Sequence, residues 1–185
     1  PLGATIMEVV EMFEKILVPV DGSVHANKAI DLAAELAVKF KAKVVMLHVL
    51  LNHASVSELM ELCERLNAPD DLIAKLKEIE DILINTATVA YGPVPVVVPV
   101  NILEEVGYLV ADNAKKLAEA EGVDDVDVHV RDGAPADLIL AAADHENADV
   151  IVMGSRGLGH LTGMLMGSVS HKVNHLAECT CITVK

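Results

Sequence analysis

The chain has 185 residues, 52% of them hydrophobic, only 2% aromatic and none Trp, which suits one compact domain with a core of Val, Ile, Leu, Ala and Met, the mixture found in parallel sheets covered by Ala-rich helices. Its 28 acidic against 14 basic residues, a formal net charge of −14, leave no Lys/Arg cluster to replace counterions and argue against nucleic acid or an anionic membrane as partner. No apolar run approaches the ~18 residues of a membrane span, and with no signal peptide ahead of the first strand the chain reads as cytoplasmic. An anionic ligand would be repelled at long range, so it has to be held by local amides and hydroxyls, with or without a Mg²⁺ ion.

In chain order, residues 1–13 form an N-terminal extension in which Pro1-Leu2-Gly3 reads as a cloning scar and Met12 as a natural start. Residues 14–185 then read as one α/β domain. A buried strand over 15–20 ends at Asp21-Gly22-Ser23, where Ser23 suits the N-cap of a helix with apolar residues at 26, 29, 30, 33, 37 and 40. A second strand over 43–50 follows closely, the spacing of a right-handed parallel crossover. Residues 51–100 break the alternation as an insert. Helical spacings over 55–66 and 71–84 predict a hairpin, and Pro93, Pro95 and Pro99 among valines predict an extended edge or polyproline segment over 85–100. The insert's apolar faces need cover, from the domain itself, from a partner subunit, or by closing over a ligand as a lid. Asn101 with Glu104 resembles a capping box for a long helix stopped at Gly122. The alternation over 126–131 predicts a half-exposed strand at a sheet edge. Pro135 opens another helix, which ends near Asn147.

The most informative stretch is 149–170. An apolar run over 150–153, of the kind a strand buried on both faces presents, stops at Gly154, and Gly157, Gly159 and Gly163 follow within ten residues. These glycines let the backbone take positive φ and approach a ligand. Gly167-Ser168-Val169-Ser170 then opens a helix, so strand, glycine loop and helix N-terminus together make an anion site, best suited to phosphate. No Gly-Lys pair exists, which removes the Walker loop, and Thr162 stands where a dinucleotide fingerprint starting at Gly157 needs its third glycine. A last strand over 180–185 completes five. Cys63, Cys179 and Cys181 lack a Cys-x-x-Cys spacing and read as reduced thiols.

The pattern Gly154-x-x-Gly157, nine residues, then Gly167-Ser168 resembles the nucleotide-binding signature of the universal stress protein family. The opening through Val18-Pro19-Val20-Asp21-Gly22-Ser23 and the triplet Leu47-His48-Val49 resemble that family's first and second strands. The resemblance implies an open five-stranded parallel sheet in the order 3-2-1-4-5, helices on both faces, here with a helical insert after strand 2, and a ligand crevice where strands 1 and 4 diverge. Carried over by position, Gly154, Arg156, Gly157, Gly167, Ser168, Val169 and Ser170 resemble the family's phosphate and ribose contacts, and Pro19, Asp21 and Val49 its adenine and ribose contacts, with Met153 a further nucleotide-binding residue. The ligand so implied is ATP or AMP, with Asp21 either accepting from a ribose hydroxyl or holding Mg²⁺. Asp21 reads equally well as a turn residue before a helix. His48, His160 and His171 read as strand, loop and helix-surface residues rather than catalysts. One departure is Thr180 after Cys179, where the family often has Pro.

Three functions follow from this reading: a nucleotide-binding stress-response module acting through conformation and partners, an ATP-hydrolysing enzyme, or a nucleotide-free dimeric scaffold. Asp21 and Arg156 surround the loop without an obvious base, which favours binding over catalysis. The last strand, lying at a sheet edge with no proline and no charge before Lys185, invites pairing with a second copy. The family resemblance likewise implies a homodimer through it.

Overall fold

The computed structural model describes residues 12–87, 98–159 and 166–185. Pro93 and Pro95, His160 and Gly163 lie outside the described residues. The remaining chain builds a sheet from β1 (Lys15–Pro19), β2 (Lys43–Val49), β3 (Val126–Arg131), β4 (Val150–Gly154) and β5 (Thr180–Val184). All four ladders are parallel and the order is β3-β2-β1-β4-β5, as expected. Alternation along β1 sends Ile16, Val18 and Val20 to one face and Leu17 to the other. The first face is covered by α1 (Val24–Phe40), α2 (Val56–Arg65), α3 (Asp70–Ala87) and α4 (Val100–Ala120), the second by α5 (Pro135–Glu146) and α6 (Ser168–Leu176).

Helix α1 starts at Ser23, whose hydroxyl accepts the Ala26 N–H at 3.1 Å, and it turns Ala26, Ala29, Ala33, Ala34 and Ala37 to the sheet. Small residues there let helix and sheet approach closely. Helix α2 starts in a complete capping box, Ser55 with Glu58. The box predicted at Asn101 does not form. Helix α4 begins two residues earlier, because the Pro99 carbonyl already accepts the Ile102 and Leu103 N–H groups at 3.0 and 3.2 Å, and a proline needs no N–H partner of its own at that position.

The predicted hairpin is present as α2 and α3, and it is covered by the domain itself. Leu59, Leu62, Leu72 and Leu76 are buried in the same core as Val106 and Val110 of α4, each fully buried leucine contributing roughly 1.5–3 kcal/mol. Lys75 on α3 adds a two-pronged bond to the Glu105 carboxylate at 2.7 and 2.9 Å.

At the opposite end from the site, the Asp149 carboxylate accepts the N–H groups of Glu14 and Lys15 at 2.7 and 2.9 Å. This clamps the lower ends of β1 and β4 together. Their ladder is short, Ile16↔Val150 and Leu17↔Ile151, whereas β1 stays paired with β2 as far as Pro19↔Leu47. Above Leu17 the sheet therefore splits.

Candidate functional site

The split opens into a crevice of about 370 Å³ at the carboxyl ends of the strands, the place where open α/β sheets put ligands. Every residue singled out from the sequence lines it: Pro19, Asp21, Val49, Met153, Gly154, Arg156, Gly157, Gly167, Ser168, Val169 and Ser170. The structure adds residues that the sequence did not single out. Leu50 and Leu51, after β2, and Pro135 and Ile139, at the start of α5, extend an apolar wall, and Asn52 to Ala54, Gly133 and Glu58 of α2 join the rim. The crevice thus has an apolar side at β2 and α5 and a polar side at the glycine loop.

The polar side is built by backbone. Helix α6 has no side-chain cap. Its N-cap is Gly167, and its first intrahelical bond runs from the His171 N–H to the Gly167 carbonyl at 2.9 Å. The amides of the first turn, at Ser168 to Ser170, precede that bond and have no carbonyl of their own helix to reach. Two bonds seat the helix start on the loop: the Gly167 N–H donates to the Ser155 carbonyl at 2.8 Å, and the Ser170 hydroxyl donates to the same oxygen at 2.8 Å. The Ser155 N–H in turn donates to Val184 at the end of β5. Ser155 is the residue that locks loop, α6 and β5 together, and no motif marked it.

Asp21 takes the role of a brace. Its Oδ1 accepts the Ser23 N–H at 2.9 Å, an Asx turn leading into α1, and its Oδ2 accepts the Leu158 N–H at 3.1 Å from across the split. This one carboxylate joins the end of β1 to the glycine loop. Each of its oxygens accepts one N–H and keeps a further lone pair, and no group of three or more His, Cys, Asp or Glu that could hold a metal is found among the described residues. Arg156 is exposed beside it and makes no ion pair among the described residues.

The glycines are needed for a different reason from the one read off the sequence. Positive φ occurs at Gly22, Gly122 and Gly133, not at the described glycines of the loop. What Gly154 and Gly157 supply is close approach. A Cβ at Gly154 would lie 2.8 Å from the His25 backbone, and one at Gly157 would strike the Asp21 carboxylate. At Gly167, with φ −73°, a Cβ would meet neighbours only at 3.5 Å and beyond, ordinary contact.

His48 lies in β2, fully buried on the face under α4, and its Nδ1–H donates to the Val20 carbonyl at 2.8 Å, just ahead of Asp21. Its Nε2 has no partner among the described residues. Burial holds the imidazole below its ordinary 6.5, because a charge there would be desolvated. Between that lowered pKa and 6.5 the unfolded chain binds a proton that the folded protein does not, so stability is full above about pH 6.5 and falls as the pH drops toward the folded value. A His48→Gln variant is expected to lose that part of the slope. Melting temperatures at pH 7.5 and pH 5 check it, and equal acid-induced drops in the two proteins would contradict it.

The fold and the site together define an open, doubly wound α/β protein with a glycine-loop crevice at its topological switch point. Residues 12–185 match the Universal stress protein family. The chain is 31% identical over 174 residues to the universal stress protein YxiE of Bacillus subtilis, covering 94% of this chain and 100% of that one. It is also 31% identical over 178 residues to a universal stress protein of Thermus aquaticus, again covering 94% and 100%. Among solved structures it resembles a universal stress protein in complex with cAMP, with a TM-score of 0.56 at 21% identity over 93% of this chain and 96% of that one. A universal stress protein from Archaeoglobus fulgidus in complex with dAMP is similar at a TM-score of 0.53 and 21% identity, covering 94% and 99%. This chain belongs to the universal stress protein family.

Proposed function

We propose that the crevice binds an adenine nucleotide, ATP or AMP, and that the protein is a nucleotide-responsive regulatory module of the stress response rather than a fast enzyme. The observation that carries this reading is the joining of a glycine loop to an uncapped helix start at the point where β1 and β4 separate. Unpaired amides and the helix dipole both favour a phosphate there. The apolar wall at Val49, Leu50 and Ile139 has the character of a base pocket, with backbone groups at Val49 to read the adenine edge. In this reading the phosphate lies at Gly154, Gly157 and the amides of Ser168, Val169 and Ser170, with Arg156 as its counter-charge. Asp21 borders the ribose while bracing the loop. Two relatives of the same fold were solved with cAMP and with dAMP, which supports an adenine ligand.

Mass spectrometry of small molecules released from the purified, denatured protein is expected to find AMP or ATP, and calorimetry on ligand-stripped protein to measure binding of one of them. Failure to release or to bind either at millimolar concentration would reject the reading.

We also propose that the module works as a homodimer through β5. Among the described residues only β4 pairs with this strand. Ile182 and Val184 pack toward α1 while Cys179 and Cys181 pack on the other face, so two copies related by a two-fold axis could continue the sheet. Ile182→Lys places like charges near that axis and is expected to give a monomer in sedimentation at micromolar concentration, with nucleotide binding kept. A wild-type monomer, or a variant that remains dimeric, would exclude this interface.

A further inference from the structure

The insert meets the crevice at one end of α2 and the turn behind Asp21 at the other. At its N-terminal end Glu58 and the preceding Asn52 to Ala54 line the rim. At its C-terminal end Arg65 donates from Nη2 to the Gly22 carbonyl at 3.0 Å. One turn earlier, Leu62, 1% exposed, covers Gly22 so closely that a Cβ there would lie 2.6 Å from Leu62 Cδ1. Gly22 has φ +78°, a conformation that only glycine takes without strain, so its peptide is held in a form that suits both contacts. Gly22 is also the residue between Asp21 and Ser23, whose N–H the Asp21 carboxylate accepts. The same carboxylate holds Leu158 in the glycine loop. Bonded contacts therefore run without a gap from the hairpin, through Gly22 and Asp21, to the loop.

We propose that Arg65 and Leu62 are positioning residues for the crevice: by fixing Gly22 they aim the Asp21 carboxylate at the Leu158 amide, and the α2–α3 hairpin thereby sets how tightly the loop holds its ligand. This rests on the nucleotide reading for its ligand but not for its mechanical part. Arg65 makes no ion pair among the described residues, and its side chain is exposed apart from this contact. Replacing it therefore removes one hydrogen bond to a carbonyl without opening the core. Whatever displaces the hairpin, a partner protein included, would loosen the loop by the same route.

The test has an arm that needs no ligand. Hydrogen exchange on the full-length, ligand-stripped protein should show the Leu158 amide exchanging about tenfold faster in Arg65→Met, the scale of one lost hydrogen bond. Amides of β4 should keep their protection, and Arg65→Lys should recover most of the loss. Asp21→Asn should speed Leu158 at least as much. In a double-mutant cycle, Arg65→Met should weaken ATP binding by about tenfold in the wild-type background and far less in the Asp21→Asn background. Unchanged Leu158 exchange in Arg65→Met overturns the proposal, as does an ATP effect of equal size in both backgrounds. If ATP and AMP fail to bind the wild-type protein, the functional reading falls while the exchange arm still decides the mechanical one.

Discussion

Gly157→Val is expected to abolish AMP and ATP binding while leaving the sheet folded. A Cβ at this position would occupy the place of the Asp21 carboxylate, so that carboxylate is driven aside and the bond from the Leu158 N–H, 3.1 Å in the native protein, is lost. That bond is charge-assisted, and the added γ-methyl groups take up room at the rim where the phosphate is proposed to lie. Together these amount to roughly 3 kcal/mol, more than a hundredfold in affinity. Gly157 is exposed, so little packing is sacrificed and the melting temperature should fall by only a few degrees. Gly167→Ala is the matched control. Its added methyl meets only ordinary contacts and its φ of −73° suits any residue, so binding should remain within a few-fold of wild type. Calorimetry with AMP and ATP on both variants checks the pair, and equal affinity in Gly157→Val and wild type would remove Gly157 from the site.

The contrast between these two glycines shows where the sequence stopped being informative. The loop was legible because strand, glycines and helix start are contiguous, and the apolar runs over 15–20, 43–50 and 150–153 each became a central strand. The strand order came from the family resemblance, since hydrophobic runs alone do not say which strands are neighbours. The purpose of each glycine was not legible. Gly154 and Gly157 look alike in sequence to Gly167, yet the first two face His25 and Asp21 at distances that admit no Cβ, and those partners lie more than a hundred positions away.

The same distance hid the working of Asp21. A carboxylate before a helix reads as a turn residue or a ligand, and its bond to Leu158 spans 137 positions. Likewise, helical periodicity gave the hairpin but not where it docks, because Arg65 and Gly22, 43 positions apart, carry no local signal of each other. At Asn101 the local signal was present and a competing one prevailed, the Pro99 carbonyl starting α4 two residues early.

Gly154→Val should be the most damaging substitution to the fold itself. Gly154 ends β4 beside Val184 of β5, and there the strand passes directly beneath the first turn of α1. An added Cβ would lie 2.8 Å from both the carbonyl carbon and the Cβ of His25 and 3.0 Å from the Ala26 nitrogen. The obstacle is mostly backbone, which cannot rotate aside as the tip of a long side chain can. Relief requires α1 to lift at the turn where Ser23 caps it and Ala26 is buried, or β4 to leave its ladder. Either costs about 3 kcal/mol, the upper end for overpacking, and for a chain of this size that lowers the melting temperature by roughly 6–12 °C. Because the lifted turn also carries the Asp21 bond to Ser23, the loss should extend to the crevice, so ligand binding and stability decline together, unlike at Gly157. Calorimetric melting and equilibrium urea unfolding of Gly154→Val and Gly154→Ala measure this. The alanine variant should be destabilised as well, since the Cβ alone makes the collision. A Gly154→Val protein melting within 2 °C of wild type would show that α1 and β4 do not meet as closely as described.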